Sequence, residues 1–169
     1  MLLLLAAAGV DAMQLHKLPI ASPHIHNSYA LDGSTYVYFA PSNPTRYADW
    51  IIFLEGGGEC ETSADCHQRA ASELGSAAYL PSKYDSDSSA DGLSDGMLDD
   101  GLYNPFHAWG KLYLPYLSGD DWLANNSQAL DPWSHSAADN GNVSFANGTT
   151  AAKPLWFCGG SNFVAAIEQ

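Results

Sequence analysis

The chain has 169 residues, of which 46% are hydrophobic and only 15% charged. This composition is typical of a globular domain with a buried core, and it excludes a chain that is disordered throughout. Acidic residues number 19 and basic residues 6, so the formal net charge is −13. Because nucleic acids and anionic membrane surfaces are bound by clustered Lys and Arg, this charge argues against both kinds of partner.

Residues 1–12 have the pattern of a weak secretory signal peptide. An apolar run from Leu2 to Val10 leads into Val10-Asp11-Ala12, a small-residue cleavage site. The run is too short to span a bilayer, and no membrane span is predicted. It lacks a preceding basic residue, so a buried first strand or a clipped gene start is the alternative. The predicted organisation is a signal peptide over residues 1–12 and, over residues 13–169, the N-terminal portion of one domain that is incomplete at its C-terminus.

Three N-glycosylation sequons also indicate export. They begin at Asn125, Asn142 and Asn147, within a polar stretch rich in Asn, Ser and Ala. A single sequon is common by chance, whereas three crowded into loop-like sequence carry more weight. The sequence therefore predicts a secreted glycoprotein of the cell wall or extracellular matrix.

Cys60 and Cys66 are predicted to form a small disulfide loop. Zinc sites usually place cysteines two to four positions apart and need a second pair of ligands, which the sequence lacks. A disulfide requires an oxidising compartment, in agreement with export. In the chain-entropy model such a loop stabilises the fold by roughly 2 kcal/mol. No metal site and no cofactor are predicted.

The hydrophobic pattern predicts three strands and two helices. The strands are expected at residues 36–39, 50–54 and 111–115, and the helices at about 65–80 and from 163 to 169. Residues 50–54 are apolar at every position, so this strand is predicted to be central and covered on both faces. Two loop regions, residues 82–100 and 118–153, are rich in Ser, Asp, Asn and Gly.

The apolar strand at residues 50–54 runs directly into Glu55 and three glycines. Such a turn places backbone N–H groups at the C-terminal end of the strand, where open α/β sheets bind their ligands. Glycine has no side chain to keep a substrate carbonyl away, so the amides of Gly57 and Gly58 are candidates for stabilising an oxyanion. A plain tight turn explains the same three glycines without any chemistry.

Seven ordered groups of residues resemble one known family. They are Asp32-Gly33-Ser34, residues 50–60, Cys66-x-x-Arg69 with Leu74-Gly75-Ser76, Gly96-Met97-Leu98, Asn104-Pro105-Phe106 with Trp109, residues 115–120, and Trp156-Phe157 with Phe163, Ala166 and Ile167. In this order they resemble the motifs of the pectin acetylesterase family, which includes the Notum deacylases.

This resemblance implies a carboxylic-ester hydrolase with an α/β-hydrolase-like fold, of which the chain is the N-terminal part of the sheet. Its substrate would be an O-acylated polysaccharide or an acylated protein, and a Ser-Asp-His triad would act with an oxyanion hole at Gly57 and Gly58. No G-x-S-x-G motif occurs, and residues 159–163 around Ser161 lack its last glycine. The nucleophile is therefore expected downstream of Gln169.

Several positions depart from the family pattern. Glu59 replaces a tryptophan, Ala30 and Leu117 replace cysteines that would plausibly pair with each other, and Cys158 replaces an arginine. These changes indicate a divergent member. A catalytically inactive secreted glycoprotein or binding scaffold, and a gene-model fragment that does not fold alone, are the alternatives to an active esterase.

Side chains outside the glycine turn have less specific predicted roles. His67, beside the disulfide loop, is expected on a helix surface, and a position facing the cleft is the alternative. Trp109, Tyr113 and Trp122 either line an acyl or sugar pocket or belong to the core, and the core is the more common role for aromatic residues.

Overall fold

The computed structural model of the chain describes residues 13–18, 28–84, 96–125 and 154–168. It contains the strands β1 (Met13–Lys17), β2 (Val37–Pro41), β3 (Trp50–Leu54), β4 (Lys83–Tyr84) and β5 (Gly110–Leu114), and the helices α1 (Ser63–Ala70) and α2 (Gly159–Ile167). Three short 3₁₀ helices cover Pro44–Arg46, Ala77–Tyr79 and Gly96–Leu98. The predicted signal peptide and the sequon asparagines Asn142 and Asn147 lie outside the described residues.

The five strands form one mixed sheet in the order β3-β5-β2-β1-β4. Strands β3 and β5 are parallel, with Trp50 opposite Gly110 and Leu54 opposite Leu114. The other neighbours are antiparallel. The parallel pair brings the carboxyl ends of β3 and β5 to the same edge of the sheet, which is where the glycine turn begins.

Strand β5 is the best-buried strand of the sheet, since all five of its residues are buried. Its side chains alternate between the two faces, as the period of a strand requires. Tyr113 joins one core cluster with Phe39 and Ile51, while Leu112 and Leu114 join another with Ala166 of helix α2. The predicted strands at residues 36–39 and 111–115 are thus confirmed as β2 and β5, each displaced by one or two residues.

Strand β3 has the predicted bounds but not the predicted position. Among the described residues it pairs only with β5, so it is an edge strand of the described sheet. Ile52 is 48% exposed and Leu54 is 41% exposed. The prediction of a central strand covered on both faces is wrong for this part of the chain. An apolar pattern specifies neither how many strands pair with a given strand nor what packs on its two faces.

Helix α1 is much shorter than the predicted helix at residues 65–80. The hydroxyl of Thr62 caps its N-terminus by accepting a hydrogen bond from the amide of Asp65 at 3.2 Å. After Ala70 the Arg69 carbonyl accepts from both the amide of Ser72 at 2.9 Å and its hydroxyl at 2.8 Å, so a tighter turn replaces the helical hydrogen bond. A Cβ on Gly75 would lie 2.5 Å from that same carbonyl oxygen, so only glycine fits there.

Helix α2 begins at Gly159, four positions before the predicted start at residue 163. The carboxylate of Asp120 accepts a 2.8 Å hydrogen bond from the Gly159 amide and thereby satisfies the helix N-terminus from the end of the sheet. Sequence patterns missed strands β1 and β4, because β1 is of mixed polarity and β4 has only two residues. The predicted loop at residues 82–100 therefore contains a short strand.

Ala30 and Leu117, which replace the two cysteines of the family pattern, lie in one buried cluster. The two chain segments are joined there by a 2.7 Å hydrogen bond from the Leu31 amide to the Leu117 carbonyl. This proximity agrees with the interpretation that cysteines at these positions would pair. In the described part of the chain, no helix has the length and apolar character needed to cross a membrane.

Candidate active site

The candidate site is built where strands β3 and β5 end side by side. The amide of Glu55 donates a 3.0 Å hydrogen bond to the Leu114 carbonyl, and this bond closes the parallel ladder. Beyond it the ladder ends, and the chain continues as residues 56–60 after β3 and as residues 115–122 after β5. The carboxyl ends of parallel strands are where open α/β sheets bind their ligands.

Glu55 joins the two segments that follow β3 and β5. Its Oε2 accepts a 2.8 Å hydrogen bond from the amide of Tyr116, and its backbone carbonyl accepts a 3.1 Å hydrogen bond from Nε1 of Trp122. Tyr36, the residue before strand β2, supports the segment after β5, since its buried hydroxyl donates to the Pro115 carbonyl at 2.8 Å. Burial, reinforced by the charge of Glu55, raises the pKa of Tyr36 well above its usual value, so this hydroxyl stays protonated.

The amides of Gly56, Gly57 and Gly58 donate to no group of the described residues. All three glycines are exposed. Backbone pairing resumes only at Cys60, whose amide donates to the Gly119 carbonyl at 3.3 Å. Three consecutive N–H groups are thus available at the edge of the sheet, and unpaired amides in such a position are the donors that an oxyanion requires.

Gly57 and Gly58 are required for different physical reasons. A Cβ on Gly57 would lie 2.8 Å from Cδ1 of the Tyr116 ring, so the ring leaves no room for a side chain. Gly58 has a φ of +69°, a left-handed conformation that L-residues adopt only at a cost, although the space around it is open. Gly56 is under neither constraint.

Arg69 and Tyr116 form the support beneath the turn. Nη2 of Arg69 donates a 2.8 Å hydrogen bond to the carbonyl of Gly57. The guanidinium carbon lies 5.7 Å from the centroid of the Tyr116 ring, within the range of a cation–π contact. Sequence reasoning identified Arg69 only as part of a motif and did not assign a role to Tyr116. The signal was the position of Arg69 one turn after Cys66, which places it near the glycine turn once the disulfide forms.

The predicted disulfide between Cys60 and Cys66 is present, with a Cα–Cα distance of 5.1 Å. It ties the end of the glycine turn to helix α1. Arg69 lies on the last turn of the same helix, so the bridge also limits how far its guanidinium can move from Gly57. The turn is therefore held at the Gly57 carbonyl by Arg69 and at Cys60 by the disulfide.

Residues 118–122, which follow strand β5, contain two positions with a strained backbone conformation. Asp121 and Trp122 are consecutive non-glycine residues with φ values of +52° and +63°. Hydrogen bonds hold them there: the Asp121 amide donates to the Tyr116 hydroxyl at 2.6 Å, and the Trp122 amide to Asp120 Oδ1 at 3.2 Å. Non-glycine residues that hydrogen bonds hold in the left-handed conformation are a recurrent feature of functional sites.

Comparisons with known proteins identify the family of the chain. The sequence model of the pectinacetylesterase family matches residues 11–137, which is more than half of the chain. The chain belongs to this family. Every residue of the glycine turn, its disulfide and its supporting arginine lies within the matched segment.

Individual relatives include plant and animal members of the pectinacetylesterase family. The chain is 33% identical to pectin acetylesterase 5 of Arabidopsis thaliana over 114 residues, covering 65% of this chain and 25% of that protein. It is 31% identical over 113 residues to the palmitoleoyl-protein carboxylesterase NOTUM of Schmidtea mediterranea, covering 64% of this chain and 19% of the relative. The chain thus spans about a quarter of the length of these relatives.

Among solved structures, the fold is similar to that of the Wnt deacylase Notum from Drosophila. The TM-score is 0.60 at 19% sequence identity, and the alignment covers 93% of this chain and 37% of that structure. A second crystal form of the same protein gives a TM-score of 0.59. The likeness confirms the predicted α/β-hydrolase-like fold, of which the chain represents a part.

Ser161 lies in the first turn of helix α2 and is buried. Its hydroxyl donates to the side-chain carbonyl of Asn125, the one sequon asparagine within the described residues. None of the hydrogen-bond partners of Ser161 in the described part of the chain is a histidine. A serine nucleophile needs a neighbouring base, and none of the described residues supplies one to Ser161.

Two other side chains singled out from the sequence are buried. His67 is only 2% exposed, and its Nδ1 lies 2.7 Å from the Ser63 carbonyl one helical turn earlier. The expectation of a helix-surface histidine is therefore wrong, because α1 packs this face against the protein. Cys158 is a buried thiol outside the disulfide, and burial raises its pKa to about 11.

The three aromatic residues proposed as pocket or core all pack against the core. Tyr113 and Trp109 pack into the core cluster of Phe39 and Ile51. Trp122 packs against two further core clusters and also contacts the Tyr116 ring, with 5.5 Å between the ring centroids, beside the glycine turn. Glu59, which replaces the family's tryptophan, is exposed at the end of the turn.

An apolar groove of about 320 Å³ lies on another part of the sheet, beside helix α2. Its lining includes Tyr38, Trp50, Ile52, Leu112 and Ala166. None of the residues of the glycine turn contributes to it, so it is separate from the candidate site. In the described residues, no group of three or more His, Cys, Asp or Glu side chains is placed to hold a metal ion.

Proposed function

We propose that this chain provides the oxyanion-binding half of a carboxylic-ester hydrolase of the pectin acetylesterase type. The observation that supports the proposal is the set of unpaired, exposed amides at residues 56–58, at the carboxyl ends of two parallel strands. In the proposed reaction, a serine attacks the ester carbonyl and the amides of Gly57 and Gly58 stabilise the resulting oxyanion. Removing one such donor typically costs about 3 kcal/mol of transition-state stabilisation.

The nucleophile is proposed to lie in sequence that follows Gln169, together with its aspartate and histidine. Two observations support this placement. The sequence has no G-x-S-x-G motif, and the hydroxyl of Ser161 is bound to Asn125 instead of a base. In this mechanism the serine supplies the attacking oxygen and the histidine takes and returns its proton.

The proposed substrates are O-acyl esters of an extracellular polysaccharide or of an acylated protein. Relatives named as pectin acetylesterases and as a palmitoleoyl-protein carboxylesterase support both classes. The net charge of −13 disfavours an unesterified polygalacturonate backbone, because like charges repel at low ionic strength. The disulfide between Cys60 and Cys66 supports a secreted location.

The proposal is tested by removing single N–H donors from the turn in the full-length protein. An α-hydroxy acid incorporated at position 58 replaces the Gly58 amide by an ester oxygen and leaves the backbone shape nearly unchanged. We expect kcat for p-nitrophenyl acetate to fall by roughly 100- to 1000-fold. The same replacement at position 56 is the matched control and should change kcat little.

The 169-residue chain by itself is expected to hydrolyse p-nitrophenyl acetate no faster than buffer. Turnover by this chain that Ser161→Ala abolishes would contradict the placement of the nucleophile. Equal losses of kcat after the replacements at positions 56 and 58 would contradict the role of the turn.

A further inference from the structure

Arg69 is connected to the glycine turn by one charge-assisted hydrogen bond. Its Nη2 donates to the Gly57 carbonyl at 2.8 Å across 12 positions of sequence. Hydrogen bonds with an ionised donor are roughly twice as strong as those between neutral groups. This bond therefore fixes the direction in which the Gly57 carbonyl points.

The direction of the Gly57 carbonyl also determines the direction of the next amide. The C=O of Gly57 and the N–H of Gly58 belong to one planar trans peptide, so they point in opposite directions. With its carbonyl bound to Arg69, this peptide directs the Gly58 N–H away from the guanidinium. A carbonyl that accepts a strong hydrogen bond also polarises its own peptide, which makes the attached N–H a stronger donor.

We propose that Arg69 is a positioning residue that orients and polarises the Gly57–Gly58 peptide for oxyanion binding. The inference rests on the proposed esterase function and adds a residue that does not touch the substrate. Arg69 acts through the peptide bond that it holds, and Tyr116 keeps the same peptide in place from below.

A purely structural role does not explain why this residue is an arginine. Its Nη1 is buried and has no hydrogen-bond partner in the described part of the chain, and an unsatisfied buried donor lowers stability. A methionine of similar length would retain the packing of the stem against Gly119. Replacing the guanidinium should therefore affect the orientation of the peptide far more than the melting temperature.

The test compares Arg69→Met with Arg69→Lys in the full-length protein. Arg46→Met is the control, because Arg46 is an exposed arginine of the 3₁₀ helix that precedes the other end of β3. Selective ¹⁵N-glycine labelling allows the order parameter of the Gly58 amide to be measured by relaxation. Esterase kinetics and thermal unfolding are recorded on the same samples.

We expect Arg69→Met to lower the Gly58 order parameter from about 0.85 to below about 0.6, the range of flexible backbone. It should lower kcat by roughly 10- to 100-fold with KM nearly unchanged, because an amide that is misdirected acts mainly in the transition state. Arg69→Lys keeps one donor and should recover part of both losses, and Arg46→Met should match the wild type.

An unchanged Gly58 order parameter in Arg69→Met overturns the proposal, whatever the activity. The proposal is also overturned, in favour of a structural role, if Arg69→Met and Arg69→Lys lower kcat to the same extent and lower the melting temperature to the same extent. If the wild type has no esterase activity but the order parameter still falls, the anchoring by Arg69 is supported and the esterase assignment is overturned.

Discussion

The carboxylate of Glu55 accepts a 2.8 Å hydrogen bond from the buried amide of Tyr116, which joins the residue after strand β3 to a residue shortly after strand β5. Both strands end at this point, so their ladder supplies no further carbonyl to this amide. A side chain therefore supplies the acceptor for this amide at the position where the paired strands end. The glycine turn starts from a rigid base because of this contact.

Glu55→Ala should destabilise the fold by about 1–3 kcal/mol, because it leaves the buried Tyr116 amide without an acceptor. Urea unfolding followed by tryptophan fluorescence measures the loss. Glu55→Gln retains an acceptor oxygen and should lose less. Glu59→Ala, an exposed glutamate of the same loop, serves as the control and should change stability little. Equal stabilities of Glu55→Ala and Glu59→Ala would show that the contact with Tyr116 contributes nothing.

Alanine substitution along the glycine turn should give three different results. Gly57→Ala should cost about 1–3 kcal/mol, because its Cβ would meet the Tyr116 ring at 2.8 Å. Gly58→Ala should cost about 1 kcal/mol from its left-handed conformation alone. Gly56→Ala should be close to neutral, since its added Cβ meets nothing. Chemical denaturation of the three variants distinguishes the effects, and three equal losses would contradict the assignment of separate causes.

The Cys158 thiol should be unreactive in the native protein. It is buried, and its pKa is raised to about 11, so little thiolate is present or accessible at pH 8. Ellman's reagent should therefore react with the native chain only slowly. After unfolding in guanidinium chloride without reductant it should titrate one thiol, because Cys60 and Cys66 are paired.

Prior reduction of the unfolded chain should raise the titre to three, the number of cysteines in the sequence. Immediate reaction of one thiol in the native state would contradict the burial of Cys158. Three thiols without reductant would contradict the disulfide.

Local sequence was sufficient to predict three strands, the glycine turn and the disulfide. Residues 36–39 and 50–54 are rich in aromatic and β-branched side chains, and the turn follows from consecutive glycines. Cys60 and Cys66 are close enough in sequence that their pairing needs no knowledge of the tertiary fold. In each case the determining interactions lie within a few residues of one another.

The features that were missed depend on packing between distant segments. The contact between Arg69 and Gly57 depends on how helix α1 packs beside the glycine turn, and the end of that helix after Ala70 is set by Ser72 and by the crowded site of Gly75. The edge position of β3 depends on which strands add to β5, which no pattern within residues 50–54 records. Helix and strand propensities do not report such relationships, because tertiary contacts override them.

Lys111 should make the stability of the protein rise with pH above pH 8. The side chain is 3% exposed on strand β5 and forms an ion pair with Asp100. Burial lowers its pKa to about 8, and the attraction of Asp99 offsets only part of that effect. Between pH 8 and the unfolded value near 10.5 the unfolded chain binds more protons, so the free energy of unfolding increases with pH.

The contribution of Lys111 should be about 1 kcal/mol between pH 7.5 and pH 9, measured as the difference between the wild type and Lys111→Met in urea unfolding at each pH. Above pH 9 stability should fall, because burial raises the pKa values of Cys158, Tyr36 and Tyr113 and the unfolded thiol and tyrosines release their protons first. Lys111→Met should abolish the rise and keep the fall, whereas Lys83→Met on the exposed side of β4 should keep both. Methionine has no titratable proton. If the stability of Lys111→Met still rises with pH, another group therefore causes the rise.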